Sequence, residues 1–135
     1  MEVFMEPKDK AFENVGNTCY YPSPLGKLGI TAEDGAITRI FLANTGHPAS
    51  AAETRLHRET WQQLSQYFSG QRKQFDIPLR PRGTAFQLLV WKELQQVPYG
   101  QTASYGQIAR RIGKPKACRA VGGANNRNDI LIIIP

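Results

Sequence analysis

At 135 residues with 41% hydrophobic content, the chain can bury one ordinary core or two small ones and is expected to fold rather than stay disordered. No apolar run reaches bilayer-crossing length, and the stretch from Met1 to Gly16 alternates charge with hydrophobe. A soluble protein of the cytoplasm or another intracellular compartment is the expectation, with no membrane partner. The net charge of +6 is unevenly placed: Met1 to Arg80 carries nine basic and nine acidic residues, whereas Pro81 to Pro135 carries eight basic residues against Glu93 and Asp129. Such a region is the electrostatic footprint of a nucleic-acid surface or simply a solvated basic face.

In chain order, Thr18–Tyr21 precedes Ser23-Pro24-Leu25-Gly26 and the segment Leu28 to Leu42, in which apolar residues flank Glu33-Asp34-Gly35. Asp-Gly tolerates the positive φ of a tight turn, so antiparallel strands are predicted. Cys19 and Cys118 lie far apart, and neither stands at metal-ligand spacing from the other or from His47 and His57. Neither a structural disulfide nor a zinc site is expected. After a loop with Gly46, Pro48 and Ser50, the span Ala52 to Ser69 carries Leu56, Trp61, Leu64, Tyr67 and Phe68 near helical spacing, with Gly70 as its stop. This helix is expected to cover one face of the sheet.

Phe75 to Thr84 holds two prolines and a glycine without helical period, which predicts an extended crossing and a domain boundary, giving domains 1–80 and 81–135. Thr84 is the expected N-cap of a helix reaching about Val97, with Phe86, Leu89, Val90, Leu94 and Val97 as its apolar stripe. Thr102 to Ile112 predicts a second helix, its Ala103, Ile108, Ala109 and Ile112 inward and Arg110 and Arg111 outward. Gly113-Lys114-Pro115 breaks it, and a third short helix is expected to begin near Pro115. Two short helices about such a turn suggest helix-turn-helix. Yet Ala117, Cys118, Ala120 and Gly122 offer almost nothing to read base edges. Their smoothness suits close approach to a minor groove, with Arg119 able to enter the duplex in place of a displaced base. Ile130 to Ile134 reads as a buried apolar strand.

Pro81 to Pro135 resembles the C-terminal domain of the O6-alkylguanine-DNA alkyltransferases, also called methylated-DNA–protein-cysteine methyltransferases. The resemblance rests on FQLLVW, VPYGQTASYGQIA, RAVGGAN and an asparagine followed by an apolar segment ending in proline, in that order. Ser23 to Gly26 extends it more faintly toward the family's N-terminal domain. It implies an α+β protein: an antiparallel sheet and helix, ribonuclease-H-like in the family, then a winged helix-turn-helix domain. The implied activity is DNA repair by direct reversal, in which a guanine is rotated out through the minor groove and its O6-alkyl group passes irreversibly to a cysteine. The implied partner is double-stranded DNA containing O6-alkylguanine, without cofactor, metal or obligate protein partner, and a monomer is expected.

The resemblance places Thr102, Ser104, Tyr105, Ala117, Cys118, Arg119, Ala120 and Gly122 at the DNA. Tyr105 would assist rotation and donate a hydrogen bond to the flipped base, and Arg119 would be the inserted finger. Asn128 would tie the DNA-binding helix to the active-site strand; read by itself, Asn128 is equally a turn cap, and Tyr105 an ordinary amphipathic helix residue. Family members often carry proline where this chain has Asp129, and some carry another where it has Leu131. Pro135 aligns with the proline of the family's Pro-Cys-His-Arg motif, so the nucleophile is expected as the next residue, and the 135 residues alone are expected to be inactive as a fragment of a longer enzyme. Cys118 is read as a packed or groove-facing thiol. A non-catalytic binder of alkylated DNA and a helix-turn-helix regulator are the alternatives.

Overall fold

A computed structural model of the chain describes residues 17–43 and 52–135. The loop containing Gly46, Pro48 and Ser50, His47, and the stretch before Asn17 lie outside the described residues. The chain divides into two compact units, Met1–Arg80 and Pro81–Pro135.

The first unit is built on three antiparallel strands, β1 (Thr18–Tyr21), β2 (Leu28–Glu33) and β3 (Ala36–Leu42), in the order β1-β2-β3. Between β1 and β2, Gly26 N–H closes a turn onto the Ser23 carbonyl at 3.0 Å. Between β2 and β3, Glu33 pairs with Ala36, leaving Asp34 (φ 49°) and Gly35 (φ 78°) as the two turn residues. Both φ values are positive, which matches the twist of a two-residue hairpin and favours Asp-Gly. Leu28, Ile30, Ile37 and Ile40 are completely buried, so the strands supply the core of this unit.

Helix α1 (Arg55–Phe68) packs on β2. It begins three residues later than its apolar spacing suggests, because Thr54 takes the N-cap: its Oγ1 accepts from His57 N–H at 3.3 Å, and His57 Nδ1 accepts from Thr54 N–H at 3.2 Å. His57 Nε2 then carries the hydrogen and donates to the Asn17 carbonyl at 2.8 Å. The most buried residues of α1 are accordingly His57, Thr60 and Leu64, while Leu56, Trp61, Tyr67 and Phe68 are half-buried. The two polar residues sit inward because their hydrogen bonds are made, His57 to the Asn17 carbonyl and Thr60 Oγ1 donating to the Leu56 carbonyl at 2.8 Å. Gly70, at φ 80°, ends the helix.

The segment after Phe75 is extended and pairs in parallel with β3 at Ile37 and Leu79. Ile37 N–H donates to Pro78 O and Arg80 N–H to Ile37 O, both at 2.8 Å, while the Arg80 guanidinium reaches the carbonyls of Glu33 and Asp34. The last residue of the unit is thereby fastened to the hairpin turn.

The second unit is helical: α2 (Ala85–Leu94), α3 (Tyr105–Arg111) and α4 (Cys118–Asn126), with α4 packed on both others. Thr84 caps α2 as expected, but the helix stops at Leu94, since the N–H groups of Gln96 and Val97 bond the carbonyls three residues back. Its buried face is Val90, Trp91 and Leu94; Leu89, expected inward, is 40% exposed. Trp91 donates its indole N–H to the Ala124 carbonyl at 2.8 Å, joining α2 to α4. Val121, Ala124, Ile108 and Ala109 complete this core.

The expected strand Ile130 to Ile134 is not formed. Its residues make a turn, with Ile133 N–H on Leu131 O and Ile134 N–H on Ile130 O, and Ile132 takes φ 73°. Their burial was legible, since Ile130, Ile133 and Ile134 are all inside. Local hydrogen bonds, including two made by Asn128, decide the backbone instead of an alternation of faces.

Candidate nucleic-acid interface

Ser104, expected at the DNA, is the N-cap of α3. Its Oγ accepts from Gln107 N–H at 3.0 Å and its own N–H donates to Gln107 Oε1 at 2.8 Å, so α3 starts at Tyr105, later than Thr102. Thr102 lies in the exposed approach to the helix. The cap places Tyr105 in the first turn, where its side chain is 43% exposed, and sends Ile108 and Ala109 into the core.

Helix α4 likewise starts later than Pro115 suggests, at Cys118, because Pro115 and Lys116 form a turn closed by Ala117 N–H on Lys114 O at 2.9 Å. Ala117 is its N-cap and makes no side-chain capping bond. Cys118, Arg119, Ala120 and Gly123 are exposed along the helix and Gly122 is half-buried, while Val121 and Ala124 hold it to the core. The exposed face is thus a nearly flat run of small residues from which one long cationic side chain, Arg119, projects.

Tyr105 closes over this face. A Cβ added at Gly122 would lie 3.1 Å from Tyr105 Cε2 and 3.2 Å from Cδ2, so the ring rests directly on the glycine backbone. One turn further along α4, Asn125 Nδ2 donates to Tyr105 Oη at 3.3 Å. Asn125 was missed in the sequence, although its spacing of three from Gly122 puts both on one helical face. Asn128 follows the helix: its Oδ1 accepts from Ile130 N–H at 2.9 Å, and its Nδ2 donates to the Ile134 carbonyl at 2.7 Å. The turn-cap reading and the tie to the apolar segment are therefore both present in one side chain.

Arg110, Arg111, Lys114, Lys116, Arg119 and Arg127 are exposed on or beside α3 and α4. These six cations, five on the two short helices and their connecting turn and Arg127 just after α4, give this unit its excess positive charge.

The cysteines differ in setting: Cys19 is buried in β1, where burial pushes its thiol above the ordinary value, and Cys118 is exposed on α4. Among the described residues no group of three or more His, Cys, Asp and Glu side chains could hold a metal ion, and no helix is long and apolar enough to cross a membrane.

Residues 85–135 match the family model of the DNA binding domain of 6-O-methylguanine DNA methyltransferase, and residues 18–81 match its ribonuclease-like domain. The chain is 46% identical over 125 residues to the constitutive methylated-DNA–protein-cysteine methyltransferase of Bacillus subtilis, a match covering 84% of this chain and 73% of that protein. It is 58% identical over 78 residues to that of Methanosarcina acetivorans, covering 58% of this chain and half of the relative. Among solved structures, the Mycobacterium tuberculosis O6-methylguanine methyltransferase superposes with a TM-score of 0.80 at 37% identity, over 88% of this chain and 74% of the other. The complex of OGT from that organism with DNA superposes with a TM-score of 0.78 at 38% identity, over 87% and 74%. The resemblance carried by FQLLVW, SYGQIA and RAVGGAN is borne out across both units, and the chain belongs to the methylated-DNA–protein-cysteine methyltransferase family, with a ribonuclease-like domain followed by a DNA binding domain.

Proposed function

We propose that this chain engages double-stranded DNA containing O6-alkylguanine as a monomer, and serves repair in which the alkyl group moves from guanine to a cysteine. The observation that carries the reading is the exposed surface of α4, where Cys118, Ala120, Gly122 and Gly123 present almost no side-chain bulk around Arg119. A helix that reads base edges needs polar side chains at those positions; one that slides along a minor groove needs their absence. Thr102, Ser104 and Ala117 flank this surface and contribute contacts to the sugar-phosphate backbone, and the surrounding cations supply salt-dependent affinity.

Rotating a nucleotide out of the stack costs a few kcal/mol. Arg119 offsets this by filling the vacated space, and Tyr105, whose ring lies on Gly122 of the same helix, blocks the base from returning. In the transfer, a thiolate Sγ attacks the alkyl carbon, the S–C bond forms as the C–O6 bond breaks, and the electron pair leaves on the guanine. A hydrogen bond donated by the Tyr105 hydroxyl stabilises that charge. Neither described cysteine suits the attack: Cys19 is buried in the other unit, and Cys118 belongs to the helix surface itself. The acceptor that the family resemblance implies is the cysteine of a Pro-Cys-His-Arg motif.

Binding is tested by comparing O6-methylguanine duplex with unmodified duplex. Tyr105→Ala and Arg119→Ala are each expected to abolish most of the preference for the lesion; unchanged preference in both would dismiss the flipping assignment. Transfer is tested by incubating the complete product of the gene with DNA labelled in the methyl group. Covalent label on protein supports repair, whereas a lesion-binding preparation that takes up none would identify a non-catalytic binder. A monomer at micromolar concentration in analytical ultracentrifugation is expected, and a dimer would remove that part of the reading.

A further inference from the structure

Tyr105 is held at two points by α4, and the two holds have different consequences. Gly122 lets the ring lie close, since a Cβ there would stand 3.1 and 3.2 Å from Cε2 and Cδ2 and press the ring back by a few tenths of an ångström. Asn125 sets the hydroxyl, its Nδ2 donating to Oη at 3.3 Å. A phenol oxygen that accepts an N–H directs its own O–H elsewhere, and in accepting it becomes a somewhat better donor. Tyr105 is 43% exposed, so without Asn125 its hydroxyl would rotate freely and exchange partners with water.

We infer that Asn125 is a positioning residue for Tyr105: by donating to Oη it turns the hydroxyl proton outward, toward a base brought against the α4 face. This rests on the proposed alkyl transfer. Asn125 touches neither the base nor the alkyl group; it acts through the direction of one proton.

The expected result for Asn125→Ala and for Asn125→Leu, which keeps the volume, is a fall of roughly three- to tenfold in the transfer rate constant at saturating DNA, the worth of one ordinary hydrogen bond. Affinity for the lesion and the thermal midpoint should change little. Asn125→Asp should be slower than Asn125→Ala, because a carboxylate only accepts and would turn the phenol proton inward. In a Tyr105→Phe background Asn125→Ala should have no further effect, since the group it positions is gone.

Equal effects of Asn125→Ala with Tyr and with Phe at position 105, an Asp variant as fast as the native protein, or a loss confined to affinity would each overturn the inference. A readout independent of chemistry is the NOE between the Asn125 side-chain amide and the Tyr105 ring in free protein: its presence is expected, and its absence also overturns the inference. All transfer rates are those of the complete gene product; if that product transfers no alkyl group at all, the proposed function is defeated instead, leaving the NOE to judge the contact.

Discussion

The two neighbouring glycines of α4 allow the Tyr105 contact to be weighed. Both lie inside the helix Cys118–Asn126, where replacing glycine by alanine ordinarily stabilises by about 1 kcal/mol through reduced backbone freedom in the unfolded chain. Around Gly123 nothing lies within 4 Å of an added Cβ, so Gly123→Ala should realise that gain, about 4 °C in thermal midpoint. At Gly122 the same methyl meets the tyrosine ring at 3.1 and 3.2 Å, and the ring must withdraw by a few tenths of an ångström. Withdrawal weakens the Asn125 hydrogen bond, worth about 1 kcal/mol, and the gain is cancelled. Gly122→Ala should therefore unfold close to the native midpoint. Denaturant melts with a common slope give the two free energies, and fluorescence anisotropy on methylated and unmodified duplexes gives the functional counterpart. Gly122→Ala should lose discrimination between the duplexes, because Tyr105 is displaced, whereas Gly123→Ala should weaken both alike, because its methyl roughens the groove face. Equal stabilisation by the two alanines would show that the ring does not rest on Gly122.

Asn128→Ala removes two hydrogen bonds, one that Oδ1 accepts from Ile130 N–H and one that Nδ2 donates to Ile134 O, and should cost about 2 kcal/mol in a denaturant melt; a loss below about 0.5 kcal/mol would mean that they are replaced by water. Trp91→Phe keeps most of the apolar burial but loses the 2.8 Å bond to Ala124 O, and is expected to lower stability by about 1–2 kcal/mol, with amide exchange rising first in α4. Burial raises the Cys19 thiol above its ordinary 9.0 and, with Glu53 accepting its hydrogen bond, raises the Tyr21 phenol as well. Folding thus favours the protonated forms: their contribution is whole below pH 9 and is lost as pH rises through the raised values, so the thermal midpoint should fall more steeply above pH 9 than in Cys19→Ala. A parallel pH dependence in the two proteins would show that Cys19 titrates as it does when unfolded. The same burial predicts that a thiol reagent modifies Cys118 in native protein and Cys19 only after unfolding.

Turn and cap chemistry was readable from the chain because it depends on residues a few positions apart. Asp34-Gly35 forces a hairpin, and Thr84 caps its helix whatever surrounds it. The smooth character of RAVGGAN and the charge imbalance were equally legible, since both are properties of composition along a short window. Helix ends were misplaced where a second capping residue competed: Thr54 and Ser104 each took the cap with a partner three residues on, so the apolar period overran the true start. Burial without alternation could not distinguish strand from turn at Ile130 to Ile134, where the hydrogen bonds of Asn128 set the backbone. Nothing in the spacing of Tyr105 and Asn125, twenty residues apart on different helices, brings them together. Sequence alone determined that a featureless helix would carry one arginine, because side-chain size and charge are intrinsic to the residues. Only the packing of α3 against α4 decided that a tyrosine would lie on Gly122 with its hydroxyl held by Asn125, because that meeting depends on where Ile108, Ala109, Val121 and Ala124 find their shared core.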